Sequence, residues 1–305
     1  MKFLDFLLII VMIGLLVFSF TVVTNTLPGE SIEYENYVAN LTLDAKTASV
    51  AQFYPNMRYQ NKMISYSISS ECDTNKVNNI LSAQEILEQS TILRFVQQED
   101  GEIKYLCSER EEPSENKGHY IAGEGGPTGI VNTTLFSVIT SGQVSLYRDE
   151  RCKTPQVALH ETLHALGFDH VTNKKDIMYP ITECDQTISD AMIEAINNLY
   201  EIRTAPDLGI EYVDANQTGR YLNFYITIVN YGLDNSEDSS LTIYNGDEKV
   251  KTFQLGDIKM GTKKFLNVQN LKISGKADVV KFELNKEADD LYPENDFAEI
   301  YLKYE

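Results

Sequence analysis

The chain has 305 residues, enough for two domains with separate cores, and its composition of 43% hydrophobic and 23% charged residues is typical of a globular protein. Its 45 acidic and 26 basic residues give a net charge of −19, so nucleic acid and anionic lipid would be repelled. We therefore exclude nucleic acid as a main partner, along with purely electrostatic binding to a membrane surface.

The first apolar segment runs from Phe6 to Val23. It is about as long as a membrane span and longer than a usual signal-peptide core, and no small-x-small cleavage site is evident after it. Residues 1–24 are therefore predicted to be a signal anchor, with a cleaved signal peptide as the alternative. Both place the rest of the chain outside the cell, either secreted or held at the membrane by this segment. Residues 25–59 are polar and weakly patterned, and we predict a stalk.

A strand–helix–strand pattern follows the stalk. Met63–Ser69 alternates, an apolar stripe with Asp73 as N-cap predicts a helix, and Ile92–Gln97 and Glu102–Leu106 predict two further strands. This order is typical of a βαβ unit with parallel pairing.

The next two segments are a glycine-rich run, Gly123–Gly129, and an alternating segment, Gln143–Tyr147. The glycine-rich run lacks the GxGxxG order and does not join a strand to a helix, so we predict a loop and not a phosphate-binding turn. The alternating segment predicts a strand.

The four cysteines are Cys72, Cys107, Cys152 and Cys184. None belongs to a CxxC pair, so a cysteine zinc site is not expected, and an even number fits disulfides in an oxidising compartment. Three connectivities are possible. Cys72 and Cys107 follow two strands that would end at similar heights in the βαβ unit, which favours a bond between them.

Three of the four histidines lie in one window, at His160, His164 and His170. The first two are four residues apart, so they lie on one helical face and can bind a single zinc ion together. Gly167 would end the helix and let the chain turn, so that His170 returns to the same metal. Three protein ligands leave the fourth position to water, as in catalytic zinc sites.

Glu161 follows the first of these histidines directly. Zinc lowers the pKa of a bound water and polarises a carbonyl, and a carboxylate at this position can take the proton of the attacking water and pass it to the leaving amine. The window thus predicts hydrolysis of peptide bonds with Glu161 as the general base.

The window resembles the metzincin signature HExxHxxGxxH, and Asp176-Ile-Met178-Tyr179-Pro180 resembles the Met-turn of that family. The resemblance implies that Met178 is the hydrophobic base beneath the zinc and that Tyr179 and Pro180 border the substrate side-chain pocket. The segment Ile188–Tyr200 resembles the closing helix of matrixins, with Ser189 as N-cap. Residues 60–203 are thus expected to form an α+β, matrixin-like zinc protease domain with a mixed twisted sheet and an active-site helix.

Two further expectations depend on this resemblance. A Cys152–Cys184 bond would join the start of the active-site helix to the segment after the Met-turn. Val144, on the strand before the site, is predicted to lie beside an extended substrate that adds by backbone pairing.

The segment 205–305 contains only short strand patterns separated by Gly, Asn and Asp, and predicts an all-β, Ig-like sandwich. Pro206-Asp-Leu208, Asn230-Tyr-Gly232 and Pro293-Glu-Asn-Asp296 resemble the cell-adhesion-related domain (CARDB type) of bacterial and archaeal surface proteins. That resemblance implies an accessory module with a possible cell-surface partner. Asp289, Asp290 and Glu294 form an acidic loop, for which Ca²⁺ binding is possible and a solvated loop is more usual.

The sequence therefore predicts a zinc-dependent endopeptidase, secreted or at the cell surface, that acts on protein or peptide substrates. The alternative is a latent or inactive zinc-binding adhesion protein, in which Glu161 would have no role. A purely structural zinc module is disfavoured, because such sites are usually closed by four protein ligands and no fourth ligand is evident.

Overall fold

The protein is described by a computed structural model that covers residues 12, 13, 15, 31–38 (backbone), 50–109, 121–149, 151–286 and 290–302. The predicted anchor at 1–24 lies outside these residues except for three positions. Among the described residues, none of the helices combines the length and the apolar character needed to cross a membrane.

In the part of the chain that the structure describes, the first domain is built on one mixed sheet with three helices. Its elements are β2 (Met57–Tyr59), β3 (Met63–Ile68), α1 (Thr74–Ser90), β4 (Arg94–Gln97), β5 (Ile103–Cys107), β6 (Gly123–Asn132), β7 (Ser137–Leu146), α2 (Gln156–Ala165) and α3 (Asp190–Glu201). Strands β4, β3, β5 and β7 are parallel neighbours in that order, so the predicted parallel pairing is confirmed. Asp73 caps α1 and Ser189 caps α3 through their side chains, as predicted.

Strand β6 is antiparallel to β7 and lies at the edge of the sheet. It contains the whole glycine-rich run Gly123–Gly129, so the prediction of a loop there was wrong. The physical reason is that glycine lets one backbone approach another closely. A Cβ on Gly125 would lie 2.1 Å from the backbone oxygen of Glu161 in α2, so only a strand without a side chain at this position can cross the helix.

The predicted stalk, residues 25–59, is also corrected in part. Ser31–Val38 forms β1, which pairs antiparallel with a strand of the second domain. At the other end, Met57, Arg58 and Tyr59 are buried in the first domain. The chain from residue 50 to residue 59 is therefore part of the first fold, because its apolar side chains and one arginine find partners there.

Arg58 is 1% exposed. Within the described part of the chain, the hydrogen bonds that its guanidinium donates all go to backbone oxygens. Its guanidinium donates to the oxygens of Leu199 and Ile202 at the end of α3 and lies 4.6 Å from the Tyr200 ring centroid. The side chain thus caps α3, whose last carbonyls have no partner within the helix.

Replacing Arg58 by methionine is expected to lower the free energy of unfolding by about 2–4 kcal/mol, because several buried carbonyls lose a charged donor. Urea unfolding followed by circular dichroism would measure it. Arg94→Met is the matched control, since Arg94 also bonds backbone oxygens but is exposed, and a loss below about 1 kcal/mol is expected there. Equal losses in the two variants would contradict the capping role.

The second domain has two four-stranded antiparallel sheets. Its elements are β8 (Leu208–Thr218), β9 (Tyr221–Asn230), β10 (Ser236–Asn245), β11 (Glu248–Ile258), β12 (Thr262–Lys272), β13 (Val279–Asn285), a 3₁₀ turn (Pro293–Asn295) and β14 (Phe297–Tyr301). The sheet orders are β1-β12-β9-β8 and β11-β10-β13-β14. The two sheets pack through one buried cluster, in which the Phe224 ring lies 5.9 Å from that of Phe253 and 5.2 Å from that of Phe282.

The two domains are in contact. Phe136 and Val138 of the first domain form a small buried cluster with Leu233 of the second. Gln60 Nε2 also donates to Asp234 Oδ1 at 3.0 Å. Helix α3 ends at Glu201 and β8 begins at Leu208, so the connection between the two domains is short.

Candidate metal centre and active site

Helix α2 carries the first two histidines and is buried along its whole length. Its N-cap is Pro155, and the Gln156 N–H donates to the backbone oxygen of Thr154 at 2.8 Å. On the sheet side, the Thr162 hydroxyl lies 3.1 Å from the Tyr105 hydroxyl of β5. The helix is therefore fixed against the sheet, and its histidines have a defined position.

The three histidines predicted as ligands converge on one point. Nε2 of His170 lies 3.2 Å from Nε2 of His160 and 3.1 Å from Nε2 of His164. Three nitrogens bound to one tetrahedral zinc at 2.0–2.1 Å would be about 3.3 Å apart, so the set fits that ion. The three residues are also the one group of potential metal ligands found among the described residues.

The other ring nitrogen of the two helical histidines is held by a backbone oxygen. His160 Nδ1 lies 2.6 Å from the oxygen of Ile177, and His164 Nδ1 lies 2.7 Å from that of Phe168. Because a carbonyl can only accept, each ring carries its proton on Nδ1 and directs the lone pair of Nε2 towards the common point. This is the tautomer that a metal ligand requires.

Burial also keeps these rings neutral. It lowers the pKa of His160 to about 4, with a further contribution from the neighbouring His164 ring. Burial lowers the pKa of His164 and of His170 as well. Neutral imidazoles bind a metal without first losing a proton, so the site is prepared for a cation.

The third histidine is brought back by two turns. Gly167 has φ of +97°, a conformation that favours glycine, and it ends the helix. A second turn lies after His170, in the segment predicted as a Met-turn. There the Met178 N–H donates to Asp176 Oδ1 at 2.8 Å and the Val171 N–H donates to the Met178 oxygen at 2.9 Å. Met178 is fully buried in the core cluster, next in sequence to Ile177, which bonds His160.

Glu161 is 8% exposed and lies beneath β6. Burial raises the pKa of its carboxyl group to about 8, the nearby carboxylate of Glu124 adds to the rise, and a hydrogen bond from the Gly125 N–H opposes it. A buried carboxyl with a raised pKa, next in sequence to one of the three converging histidines, is typical of a proton-transfer site.

Both predicted disulfides are confirmed. Cys72 bonds Cys107, and Cys152 bonds Cys184. Gln156 supports the second bond, because its Nε2 donates to the oxygen of Cys184 at 3.1 Å and to that of Gln186 at 3.0 Å. The start of α2 is thus joined to the segment that follows the Met-turn.

The prediction that Val144 borders the substrate was wrong. Val144 is fully buried and pairs with Tyr105 of β5 on one side and with Gly125 of β6 on the other, so β7 has no free edge there. Tyr179 is half-buried and Pro180 is exposed, and their predicted pocket role stays a prediction.

Two contributors to the site were not predicted from the sequence. One is β6, although glycines at alternate positions 123 and 125 are a signal of close backbone approach. The other is the segment from Ala51 to Phe53, which contacts the turn between His164 and His170. Its polar, weakly patterned sequence carries no such signal.

The first domain is similar to known proteins. The family model described as Matrixin matches residues 58–201. The chain contains a zinc metalloendopeptidase domain of the metzincin type. A search of curated proteins returned no match. The solved structures similar to the chain include high choriolytic enzyme 1, a hatching-enzyme zinc protease from Oryzias latipes (medaka fish), with 21% identity and a TM-score of 0.24. That match covers 43% of this chain and 55% of the medaka protein, so the chain spans about half the length of that relative.

In the protease domain, Gly125 offers a direct test of how β6 lies over Glu161. Gly125→Ala is expected to lower kcat/KM about 100-fold, because the added Cβ meets the Glu161 backbone and displaces the strand or the helix. Gly126→Ala is the matched control, since a Cβ there has no neighbour within 4 Å. Kinetics on one peptide substrate would measure both, and equal activity of the two variants would contradict the packing described.

Proposed function

We propose that the chain is a zinc-dependent endopeptidase that cuts internal peptide bonds of extracellular proteins. The observation that carries the proposal is the convergence of three Nε2 atoms, one of which belongs to His160, the sequence neighbour of the buried Glu161. When bound by His160, His164 and His170, zinc would supply a Lewis acid for the peptide carbonyl and a water of lowered pKa.

Glu161 is proposed as the general base. Its carboxylate takes the proton of the attacking water and then donates it to the amine of the leaving product. The Gly125 N–H supports this role, because its hydrogen bond favours the charged form of the carboxylate. Met178 would support the metal site through the buried turn that also holds His160.

The substrate is proposed to bind along β6 as an extended strand. Among the described strands β6 pairs only with β7, so its other edge is available for backbone hydrogen bonds. An open edge accepts a chain that continues in both directions, which favours internal cuts over removal of terminal residues. Tyr179 and Pro180, which follow the Met-turn, are proposed to border the side-chain pocket.

An extracellular location is supported by the two disulfides, which persist in oxidising compartments. We propose export through the N-terminal apolar segment, with retention at the membrane or release after cleavage.

The second domain is proposed to be a CARDB-type β-sandwich that serves as an accessory module with a cell-surface partner. Its two packed antiparallel sheets support this assignment. Calcium has less support, because Asp290 is buried and pairs with the Lys286 ammonium, which takes the place of a cation. Asp289 lies outside the described residues.

Cleavage of a quenched-peptide library by the oxidised full-length chain in detergent tests the proposal. Internal cuts that stop with a zinc chelator and return with added zinc are expected. Zinc uptake without cleavage of any library member or of unfolded proteins would instead favour the zinc-binding adhesion protein.

A further inference from the structure

The turn that carries His170 to the metal is paired with the chain upstream of β2. The Phe53 N–H donates to the Gly167 oxygen at 3.0 Å, and the Asp169 N–H donates to the Ala51 oxygen at 2.9 Å. Gln52 and Phe168 lie between them as an antiparallel bridge. Residues 51–53 are therefore joined through one antiparallel bridge to the turn between the second and third histidines.

The upstream segment is itself closed into a loop. Gln52 Nε2 donates to the Met57 oxygen at 2.8 Å, and the Met57 N–H donates to Gln52 Oε1 at 3.3 Å. The fully buried Met57 also sets the packing of the turn, because a Cβ on Gly167 would lie 2.5 Å from Met57 Cγ. The loop is thus anchored in the core on one side and on the metal-binding turn on the other.

Phe53 places its ring on His164. The two ring centroids are 5.6 Å apart and the planes are inclined by 24°, which is a stacked arrangement. The His164 ring is already held at its edge by the Phe168 oxygen, so the contact on its face restricts the remaining rotation. Phe53 is 38% exposed, so burial in the core accounts for only a minor part of the role of this large apolar side chain.

We infer that Phe53 is a positioning residue for the metal: it holds the His164 imidazole in the orientation that directs Nε2 to the zinc and covers that face against water. The inference rests on the proposed zinc site and extends it to residues that precede the matrixin match at 58–201. A stacked ring pair contributes about a 2- to 12-fold difference beyond its buried area, so loss of the Phe53 ring should speed zinc release by about 5-fold.

The test compares full-length, zinc-loaded variants by the rate of zinc transfer to a chromogenic chelator and by the visible spectrum after Co²⁺ substitution. Phe53→Ala is expected to release zinc about 5-fold faster and to alter the Co²⁺ absorption bands, which report ligand geometry. Phe53→Tyr, which retains the flat ring, should match the wild type. Phe53→Leu, which retains apolar bulk without a ring, should behave like Phe53→Ala.

Tyr54→Ala is the matched control, because Tyr54 is the adjacent aromatic residue and is 52% exposed. Its zinc release and Co²⁺ spectrum should be unchanged. Wild-type release rates and an unchanged spectrum in Phe53→Ala would overturn the inference, and so would the same defect in Tyr54→Ala. A wild-type chain that takes up neither metal would overturn the proposed function too, which separates that failure from a failure of Phe53 alone. Circular dichroism of the metal-free proteins identifies any variant that fails to fold. If Phe53→Ala fails to fold, the comparison of Phe53→Leu with Phe53→Tyr decides whether the ring positions the metal.

Discussion

Glu161→Gln is expected to lower kcat by about a thousandfold and to leave the zinc content unchanged. The amide is close to the carboxylate in size, so the packing under β6 is preserved, but it cannot take a proton from water. The three histidines keep their positions because none of their recorded bonds involves the Glu161 side chain.

Steady-state kinetics with one peptide and metal analysis of the same sample would measure both effects. Glu194→Gln is the matched control, since Glu194 is exposed on α3 and its replacement should leave kcat within about twofold of the wild type. More than a tenth of the wild-type kcat in Glu161→Gln would show that another group accepts the proton.

The same substitution changes how the metal-free protein responds to pH. The folded pKa of Glu161 is raised from 4.5 to about 8, so its contribution to stability is present below pH 4.5 and lost as the pH rises through 8. The folded pKa of His160 is lowered from 6.5 to about 4, so its contribution is present above pH 6.5 and lost as the pH falls through 4. Glutamine does not titrate, so Glu161→Gln avoids the loss of stability that the raised pKa of Glu161 causes. The metal-free variant should be more stable than the wild type at pH 8, by roughly 2–4 kcal/mol. Urea unfolding at pH 5 and pH 8 measures it, and equal stabilities at pH 8 would contradict the buried carboxyl.

His160→Ala is expected to abolish zinc retention and cleavage together. Two ligands remain, and the substitution also removes the bond from the ring to the Ile177 oxygen that holds the Met-turn. The fourth histidine, His119, provides the matched control, because His119→Ala should keep one zinc per chain. Zinc retention by His160→Ala, or its loss from His119→Ala, would show that the ligand set is different.

The loss of zinc should also lower the thermal stability. An ion present at a thousandfold excess over its dissociation constant stabilises the folded state by about 4 kcal/mol. For a domain of this size we expect the unfolding temperature to fall by roughly 10–15 °C in wild-type protein treated with chelator. His160→Ala should show no further decrease when chelator is added, and calorimetry of the two proteins measures this.

The metal ligands were predictable from sequence because their geometry is mostly local. Helical periodicity puts His160 and His164 on one face, and Gly167 provides the turn that returns His170. The Cys72–Cys107 bond followed from two strands that end close together. The Cys152–Cys184 bond and the placement of Met178 in a Met-turn followed from the resemblance to metzincins.

The parts that could not be predicted depend on contacts between distant segments. Alternation placed Val144 on a strand correctly, but it did not reveal that β6 covers the edge of that strand. The alternate glycines Gly123 and Gly125 signal a close approach, but no local pattern identifies Glu161 as the residue that lies against them. Phe53 stacks on His164 from a segment whose sequence is typical of a linker.

Zinc-edge X-ray absorption on the full-length wild-type chain, with the metal content measured on the same sample, tests the central claim most directly. One zinc per chain with three imidazole nitrogens at about 2.0–2.1 Å and one further light-atom ligand is the predicted result. A closed shell of four protein ligands, a sulfur ligand, or no bound zinc would contradict the account.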